Sequence, residues 1–259
     1  MNVVVDRVRK SYGRGAEARE VLTETSLTVR SQEFVSIVGP SGCGKSTLLM
    51  MMAGLLKPSS GEIRLGDEPV TGPPAGLSVV FQDYSRSLFP WMSVRRNLTT
   101  ALTASRLGKE EQRSRVEHAL ESVGLAGKGE MYPWQMSGGM QQRVAIARAL
   151  VTEPTVMLMD EPFAAVDAQT RADLEDLVLR VRHEYDVTVA FVTHDIDESV
   201  YMADRIVVLA ANPGRIAADL TVDLPRPRDQ VETKLDARFA KLRSEVFRLV
   251  MRPDTPASA

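Results

Sequence analysis

Nine residues, GPSGCGKST at positions 39–47, constrain this chain more than any other segment. They follow a short apolar run, Glu33–Val38, and lead into a segment whose apolar residues recur three and four apart. Glycines let a backbone turn its N–H groups inward, and a helix that begins at Lys45 adds its unpaired amides and the positive end of its dipole. The segment therefore predicts a strand, a phosphate-binding loop and a helix. The apolar face of that helix is predicted to contain Leu48, Met51, Met52 and Leu55, with Gly54 and Pro58 ending it.

Different residues of this loop are expected to contact different parts of a bound nucleotide. Lys45 is expected to reach the β- and γ-phosphates, and the Ser46 hydroxyl is expected to ligate Mg²⁺. The predicted nucleotide-binding set within the loop is Gly39, Pro40, Ser41, Gly42, Cys43, Gly44, Lys45, Ser46 and Thr47. Two interpretations of Cys43 stay open, a thiol that can be modified near the nucleotide or a small residue tolerated at a variable position.

A second motif, VMLMDEP at Val156–Pro162, reads as an apolar strand that ends in two carboxylates. In open α/β sheets, ligands bind at the carboxyl ends of the strands, where such a strand would deliver Asp160. Beside a phosphate loop, Asp160 is predicted to serve Mg²⁺. Alone, an Asp-Glu pair before a proline would be interpreted as a solvated turn.

The remaining pattern predicts an α/β fold with a mostly parallel sheet, an antiparallel edge and a helical insertion. Val3–Val8 and Val21–Val29 read as antiparallel edge strands around a loop at 13–20, because both are rich in β-branched residues. Three further buried strands are predicted at Val79–Phe81, Val187–Thr193 and Ile206–Leu209. Two helices are predicted at Thr170–Tyr185 and about Val231–Val250. Residues 83–150 hold no convincing strand and are predicted to form an inserted helical subdomain.

Bulk composition excludes several classes of protein. The 32 basic and 34 acidic residues give a net charge of −2, which argues against a nucleic-acid partner. The single cysteine forms no internal disulfide, so a reducing compartment is expected. No apolar stretch approaches the ~20 residues that span a bilayer, and the N-terminus has no signal-peptide pattern. We therefore expect a cytoplasmic chain that reaches a membrane only through a partner.

A third motif, MSGGMQQR at Met136–Arg143, is absent from most phosphate-loop enzymes. Ser137 is a favoured N-cap, and Gly138 and Gly139 expose backbone amides at the start of a predicted helix. One triphosphate seldom needs two such helix ends. In a head-to-tail dimer, the Ser137 end of one subunit would close on the ATP held by the other, and two-fold symmetry would complete both sites.

Together the three motifs resemble the ATPase subunit of an ATP-binding-cassette (ABC) transporter, and the resemblance extends from about Tyr12 to Arg228. It implies a P-loop NTPase core at residues 1–228, followed by a C-terminal helix and tail at 229–259. It also implies roles for single residues. Glu161 would be the general base that polarises the attacking water. His194 would contact the γ-phosphate, and Gln82 would contact Mg²⁺ and water.

Two more residues gain roles from the same resemblance. Asp167 would belong to the nucleotide-binding interface of the dimer. Tyr12 matches the position where this family stacks an aromatic ring on adenine, and the alternative is an ordinary surface tyrosine.

Finer features resemble the ATPases of nitrate, sulfonate and taurine-type importers. They are FQDYSRSLFPW at 81–91, Met140 after the two glycines, FAAVDAQTR at 163–171, and the segment 193–216. Two residues depart from the family pattern, Met136 and Val166, where leucine is commoner. Both stay apolar and of similar size, so neither is expected to disable the site.

The resemblance implies partners as well as chemistry. These are membrane permease subunits, a second ATPase subunit in a head-to-tail homodimer, and indirectly a solute-binding protein, with the protein at the inner face of the cell membrane. Ser87–Val94 carries Leu88, Phe89, Trp91 and Met92, which predicts either a groove for a permease helix or a cap on the helical subdomain's core. Two other functions are weighed against transport. They are a non-transport ABC-type ATPase in translation or DNA repair, and a phosphate-loop kinase or GTPase.

Overall fold

The computed structural model describes residues 1–13, 18–83 and 87–251. Parts of the predicted 13–20 loop, the 81–91 motif and the C-terminal tail lie outside the described residues; these are 14–17, 84–86 and 252–259. The chain divides into two compact units. Unit one comprises Met1–Pro74 and Thr188–Ala259, and unit two comprises Ala75–Val187.

Strands and helices are numbered here in chain order. The strands are β1 Val3–Tyr12, β2 Arg19–Val29, β3 Phe34–Val38, β4 Ser60–Leu65, β5 Glu68–Pro69, β6 Leu77–Val80, β7 Val156–Asp160, β8 Thr188–Val192, β9 Arg205–Ala210 and β10 Arg215–Thr221. The α-helices are α1 Lys45–Met52, α2 Val94–Ala101, α3 Lys109–Ser122, α4 Gly138–Leu150, α5 Ala168–Glu184, α6 Ile196–Met202, α7 Glu232–Leu235 and α8 Ala237–Met251. A 3₁₀ turn at Pro133–Gln135 precedes α4.

Unit one contains two β layers. In one, the strand order is β2-β1-β4-β5 and neighbouring strands run antiparallel, with Val3 opposite Val29. This confirms the predicted antiparallel edge. In the other layer, β3 lies between β8 and β9 and runs parallel to both. Strand β10 pairs with β9 in the antiparallel direction. All residues of β3 and β8 are buried, as expected for strands covered on both faces.

Helix α1 ends earlier than the sequence pattern predicts. Leu48, Met51 and Met52 are buried as expected. The prediction for Leu55 is wrong, because that side chain is 51% exposed. The reason is local: Ala53 caps the helix and Gly54 has a left-handed φ of 69°, so the chain leaves the helical path before Leu55.

The predicted C-terminal helix is two helices, α7 and α8, separated by Asp236. That residue has an extended ψ of 132°, which interrupts the helical hydrogen bonding. Its carboxylate accepts from the Arg238 backbone amide at 2.8 Å, and its carbonyl accepts from Phe239 N at 3.0 Å. Asp236 therefore starts a new helix, the role that aspartate favours at an N-terminus. Helix α8 packs on α6 and β9 through the buried Phe239, Val246 and Leu249.

Unit two pairs one parallel strand couple with helices. Strands β6 and β7 run parallel, with Leu77 opposite Val156. The described residues between Asp83 and Leu150 form α2, α3, the 3₁₀ turn and α4, and no strand, as the sequence pattern predicts. Helix α5 buries Leu174, Leu177, Val178 and Val181, also as predicted. In the described part of the chain, no helix is both long enough and apolar enough to cross a bilayer.

Candidate functional site

In unit one, the loop at 39–47 connects the buried strand β3 to α1. The N-cap of α1 is Gly44, which supplies no side-chain hydrogen bond to the first turn. Its φ of 98° is left-handed, a conformation that favours glycine. The first-turn amides of α1 are therefore not capped by the Gly44 position, and the dipole of the helix favours an anion there. This arrangement fits the phosphates of a nucleotide.

Lys45 is held over the loop that it follows. Its ammonium donates to the carbonyl oxygens of Gly39 at 2.8 Å and of Pro40 at 3.2 Å, and the residue is 6% exposed. Ser46, next along, is exposed. The positive charge thus lies against the backbone of the loop, where the sequence analysis expects phosphate oxygens.

Cys43 lies inside this loop but away from solvent. The residue is fully buried. Burial raises the pKa of its thiol, and the nearby positive charge of Lys45 only partly opposes that rise. Because the thiolate is the reactive form of cysteine, a buried thiol with a raised pKa is a poor nucleophile. Of the two interpretations of Cys43, this environment favours the small residue that packs.

Tyr12 and His194, the other predicted contacts in unit one, follow strands. Tyr12 ends β1 and is 45% exposed, and the Lys10 ammonium lies 5.1 Å from its ring centroid. An exposed ring with a cation beside it can accept a second flat group. His194 lies two residues beyond β8 and is exposed.

In unit two, the predicted carboxylates lie at the end of β7. Asp160 is the last residue of that buried strand and is 7% exposed. Glu161 follows with a φ of 44°, a left-handed conformation that costs a residue other than glycine about 1–3 kcal/mol. Backbone strain of this kind is concentrated at functional sites. The Gln82 amide nitrogen lies 3.4 Å from the Glu161 Oε2 atom, so unit two brings together two residues that the sequence analysis singled out.

Ser137 caps α4 as predicted. Its hydroxyl accepts from Met140 N at 3.3 Å, and Val144, Ala147 and Val151 are buried on the helix's inner side. Ser137 and Gly138 are exposed at the surface of the unit. The adjoining Met136 is 7% exposed, so an apolar residue of this size packs where leucine is commoner.

Asp167 is likewise an exposed N-cap, at the start of α5. It accepts from the Thr170 backbone amide at 3.0 Å and from the Thr170 hydroxyl at 2.7 Å. These two hydrogen bonds stabilise the ionised form and lower the pKa of Asp167. The carboxylate is thus charged and fixed in direction at neutral pH.

Residues 87–93, here called the aromatic loop, contain side chains that fit each of the two predicted roles. Leu88 is 3% exposed and belongs to the core. Phe89 is 37% and Trp91 69% exposed, with ring centroids 5.5 Å apart. The core interpretation therefore holds for Leu88, and the two aromatic side chains present an outward-facing surface.

A residue that the sequence analysis missed builds this loop. The Asn97 side chain is fully buried in α2; it accepts from Phe89 N at 2.8 Å and donates to the carbonyl oxygens of Phe89, Met92 and Ser93 at 3.1–3.2 Å. Arg148 was missed too, and its guanidinium donates to the Ser87 carbonyl while burial lowers its pKa. No periodicity reveals either role, because the partners are backbone groups that any residue carries.

Three features together define a nucleotide-binding ATPase. They are the phosphate loop, the carboxylates that end β7, and the start of α4, which Ser137 caps. Residues 22–164, more than half of the chain, match the family described as ABC transporter. The chain belongs to that family, and it is an ABC ATPase that binds nucleotide.

Relatives and solved structures agree with this assignment. The aliphatic sulfonates import ATP-binding protein SsuB of Bacillus licheniformis is 46% identical over 221 residues, which cover 85% of each chain. The nitrate import ATP-binding protein NrtC of Synechococcus elongatus is 43% identical over 254 residues, covering 96% of this chain and 38% of that one. A dimeric ATP-binding cassette in a post-hydrolysis state, bound to ADP and Pi, is similar with a TM-score of 0.73 and 32% identity, over 85% of this chain and 98% of that one.

Proposed function

We propose that this protein is the ATPase subunit of an ABC importer, which energises uptake of a small solute through a separate membrane permease. The observation that carries the proposal is the 46% identity to the sulfonate import subunit across 85% of both chains. The similarity to the nitrate and sulfonate import subunits favours a small solute that carries an oxyanion group, of the nitrate, sulfonate or taurine kind. On this proposal the protein works at the inner face of the cell membrane.

The first step is nucleotide binding by unit one. Lys45 exchanges carbonyl partners for phosphate oxygens, which neutralises charge on the β- and γ-phosphates. The amides of the 39–47 loop and of the first turn of α1 donate to the phosphates. The Tyr12 ring stacks on the adenine. The residues that would hold Mg²⁺ are Ser46, Gln82 and Asp160, through oxygen atoms, the ligands that Mg²⁺ prefers.

Hydrolysis depends on a base that can accept a proton from water. Bound Mg²⁺ would neutralise charge that builds on the phosphate oxygens. Glu161, at the end of β7, accepts the proton of the attacking water, and Gln82 holds the carboxylate in place through the amide 3.4 Å away. His194 contacts the γ-phosphate, so the position of this side chain depends on whether that phosphate is bound.

Two copies act together. The exposed helix end at Ser137–Gly139 of one copy closes on the ATP that the other copy holds, and Asp167 lines the same interface. ATP then joins the two copies, and hydrolysis releases them. The exposure of Ser137, Gly138 and Asp167 supports this proposal, because all three are accessible to a second copy.

The permease is proposed to dock on the aromatic loop. Phe89 and Trp91 offer an exposed apolar surface, and such surfaces mark interaction sites. The loop belongs to residues 83–150, which are proposed to act as the helical subdomain that passes motion between ATP and the permease. Residues 229–259, with α7 and α8, are proposed to be an accessory segment to the ATPase domain.

The test is purification of the tagged protein from detergent-solubilised membranes, followed by mass spectrometry of the proteins that accompany it. We expect a polytopic membrane protein in stoichiometric amount, lost when the tag is placed on an unrelated cytoplasmic ATPase. Recovery of only soluble proteins or ribosomes would contradict the transport function. The solute-binding protein encoded with that permease can then be screened against nitrate, sulfonates and taurine.

A further inference from the structure

Thr170, in the first turn of α5, connects two of the proposed nucleotide-interface motifs. Its hydroxyl donates to one oxygen of Asp167 at 2.7 Å, and its backbone amide donates to the other at 3.0 Å. One residue therefore donates a hydrogen bond to each oxygen of the carboxylate. The side chain itself is half-buried.

The methyl group of the same threonine lies against Gly139. A Cβ built on Gly139 would lie 2.4 Å from the Thr170 Cγ2 atom, far inside any real contact, while the Thr170 Cβ and Oγ1 atoms would lie at 3.7 and 3.8 Å. Gly139 lies within α4 and has no left-handed φ, so its backbone conformation does not demand glycine. Among the described residues, the threonine methyl is what excludes a side chain at position 139.

We propose that Thr170 is a positioning residue that couples Asp167 to the Ser137–Gly139 helix end, with its hydroxyl fixing the first and its methyl the second. The inference rests on the proposed nucleotide roles of those two motifs. Both γ atoms branch from one Cβ, and a β-branched side chain has few accessible rotamers. The hydroxyl bond to Asp167 therefore sets where the methyl lies, and a displacement of Asp167 by a partner copy shifts the contact with Gly139.

Two single substitutions separate the two functions of this side chain. Thr170→Val keeps the shape and the methyl but removes the hydroxyl. Thr170→Ser keeps the hydroxyl and removes the methyl. Both are made in the Glu161→Gln background, and the ATP concentration that gives half-maximal dimer is measured by light scattering. We expect Thr170→Val to raise that concentration roughly tenfold or more, since a hydrogen bond to a charged group is lost.

The methyl contact is tested by rescue. Gly139→Ala should raise the ATP requirement by at least about tenfold, because its Cβ collides with the methyl of Thr170. The double variant Gly139→Ala with Thr170→Ser should return to within about threefold of Thr170→Ser alone, because the colliding atom is gone. In the wild-type Glu161 background, Thr170→Val should raise the KM for ATP by a similar factor, with little change in kcat at saturating ATP.

The outcomes discriminate among the possibilities. If Thr170→Val only lowers the thermal unfolding midpoint and leaves the ATP requirement unchanged, Thr170 does no more than support the helix cap at Asp167, and the coupling inference is overturned. The inference also falls if the double variant is as impaired as Gly139→Ala. Absence of an ATP-dependent dimer in Glu161→Gln alone would instead overturn the proposed dimer mechanism, and the coupling with it.

Discussion

The Gln82 amide nitrogen lies 3.4 Å from the Oε2 atom of Glu161. Gln82 comes two residues after β6 and Glu161 one residue after β7, so the contact joins the ends of two parallel neighbouring strands. The contact therefore orients the carboxylate that is proposed to accept the proton of the attacking water.

Glu161→Gln is expected to retain ATP binding and to lose hydrolysis by roughly 10²–10⁴-fold, because the amide cannot accept the proton of water. Phosphate release from purified protein measures the loss, and light scattering with ATP should detect a persistent dimer. Glu153→Gln, at an exposed carboxylate whose ion pair is with Arg115, is the matched control and should hydrolyse normally. A Glu161→Gln protein with unimpaired hydrolysis would rule out the assigned base.

Lys45→Ala is expected to abolish nucleotide binding. The substitution removes the ammonium that donates to the carbonyls of Gly39 and Pro40, and with it the charge proposed to contact the β- and γ-phosphates. Binding of a fluorescent ATP analogue is the measurement. Lys241→Ala, on the exposed side of α8, should bind like the parent. Binding by Lys45→Ala within about threefold of the parent would show that the phosphates are held elsewhere.

Trp91→Ala tests the docking surface. Because this side chain is 69% exposed, we expect the variant to keep its fold and its basal ATPase activity while losing most of its co-purification with the permease. Trp134→Ala provides a matched control, since Trp134 is 71% exposed in the same unit. Equal loss of co-purification and basal activity in Trp91→Ala would favour the alternative, that this residue caps a core.

Two adjacent glutamines in α4 are expected to respond oppositely to methionine. Gln142 is fully buried, and neither its amide nitrogen nor its oxygen finds a partner among the described residues. Gln142→Met should therefore leave the free energy of unfolding unchanged or raise it by about 1 kcal/mol. Gln141 donates to the carbonyls of Pro133 and Met136 at 3.0 and 3.2 Å, so Gln141→Met should lower it by about 1–2 kcal/mol.

Urea unfolding of the two glutamine variants measures the change in their free energy of unfolding. Similar destabilisation by both would mean that Gln142 has a polar partner in solution. A stable Gln142→Met protein that has lost ATP-dependent dimerisation would instead indicate that the amide serves function at the expense of stability.

Much of the fold could be predicted from sequence patterns that act over short distances along the chain. The strand, loop and helix around Lys45 could be predicted because glycine conformation, strand burial and helix periodicity all act within a few residues. The antiparallel pairing of β1 and β2 followed from β-branched composition on both sides of one loop. The helix that Ser137 opens was predicted from an N-cap and its apolar spacing.

Features that depend on distant contacts were missed. Strand β4 is six residues long, and only Ile63 and Leu65 alternate with charged neighbours, too short a pattern to stand out. The break at Asp236 interrupts a continuous apolar pattern, because a carboxylate that caps the next helix outweighs periodicity. The methyl contact between Thr170 and Gly139 joins two helices and leaves no trace in the spacing of either.

Asn97 gives the aromatic loop a property that bears on how force passes through the molecule. Four hydrogen bonds from one buried side chain hold the backbone of residues 89–93. A segment fixed in this way has little conformational entropy to lose when a partner binds. The same bonds tie the loop to α2, so on the docking proposal a permease helix that contacts Trp91 would move α2 together with the loop. The docking surface and α2 would then move together because of Asn97, whose own side chain is buried and is not part of that surface.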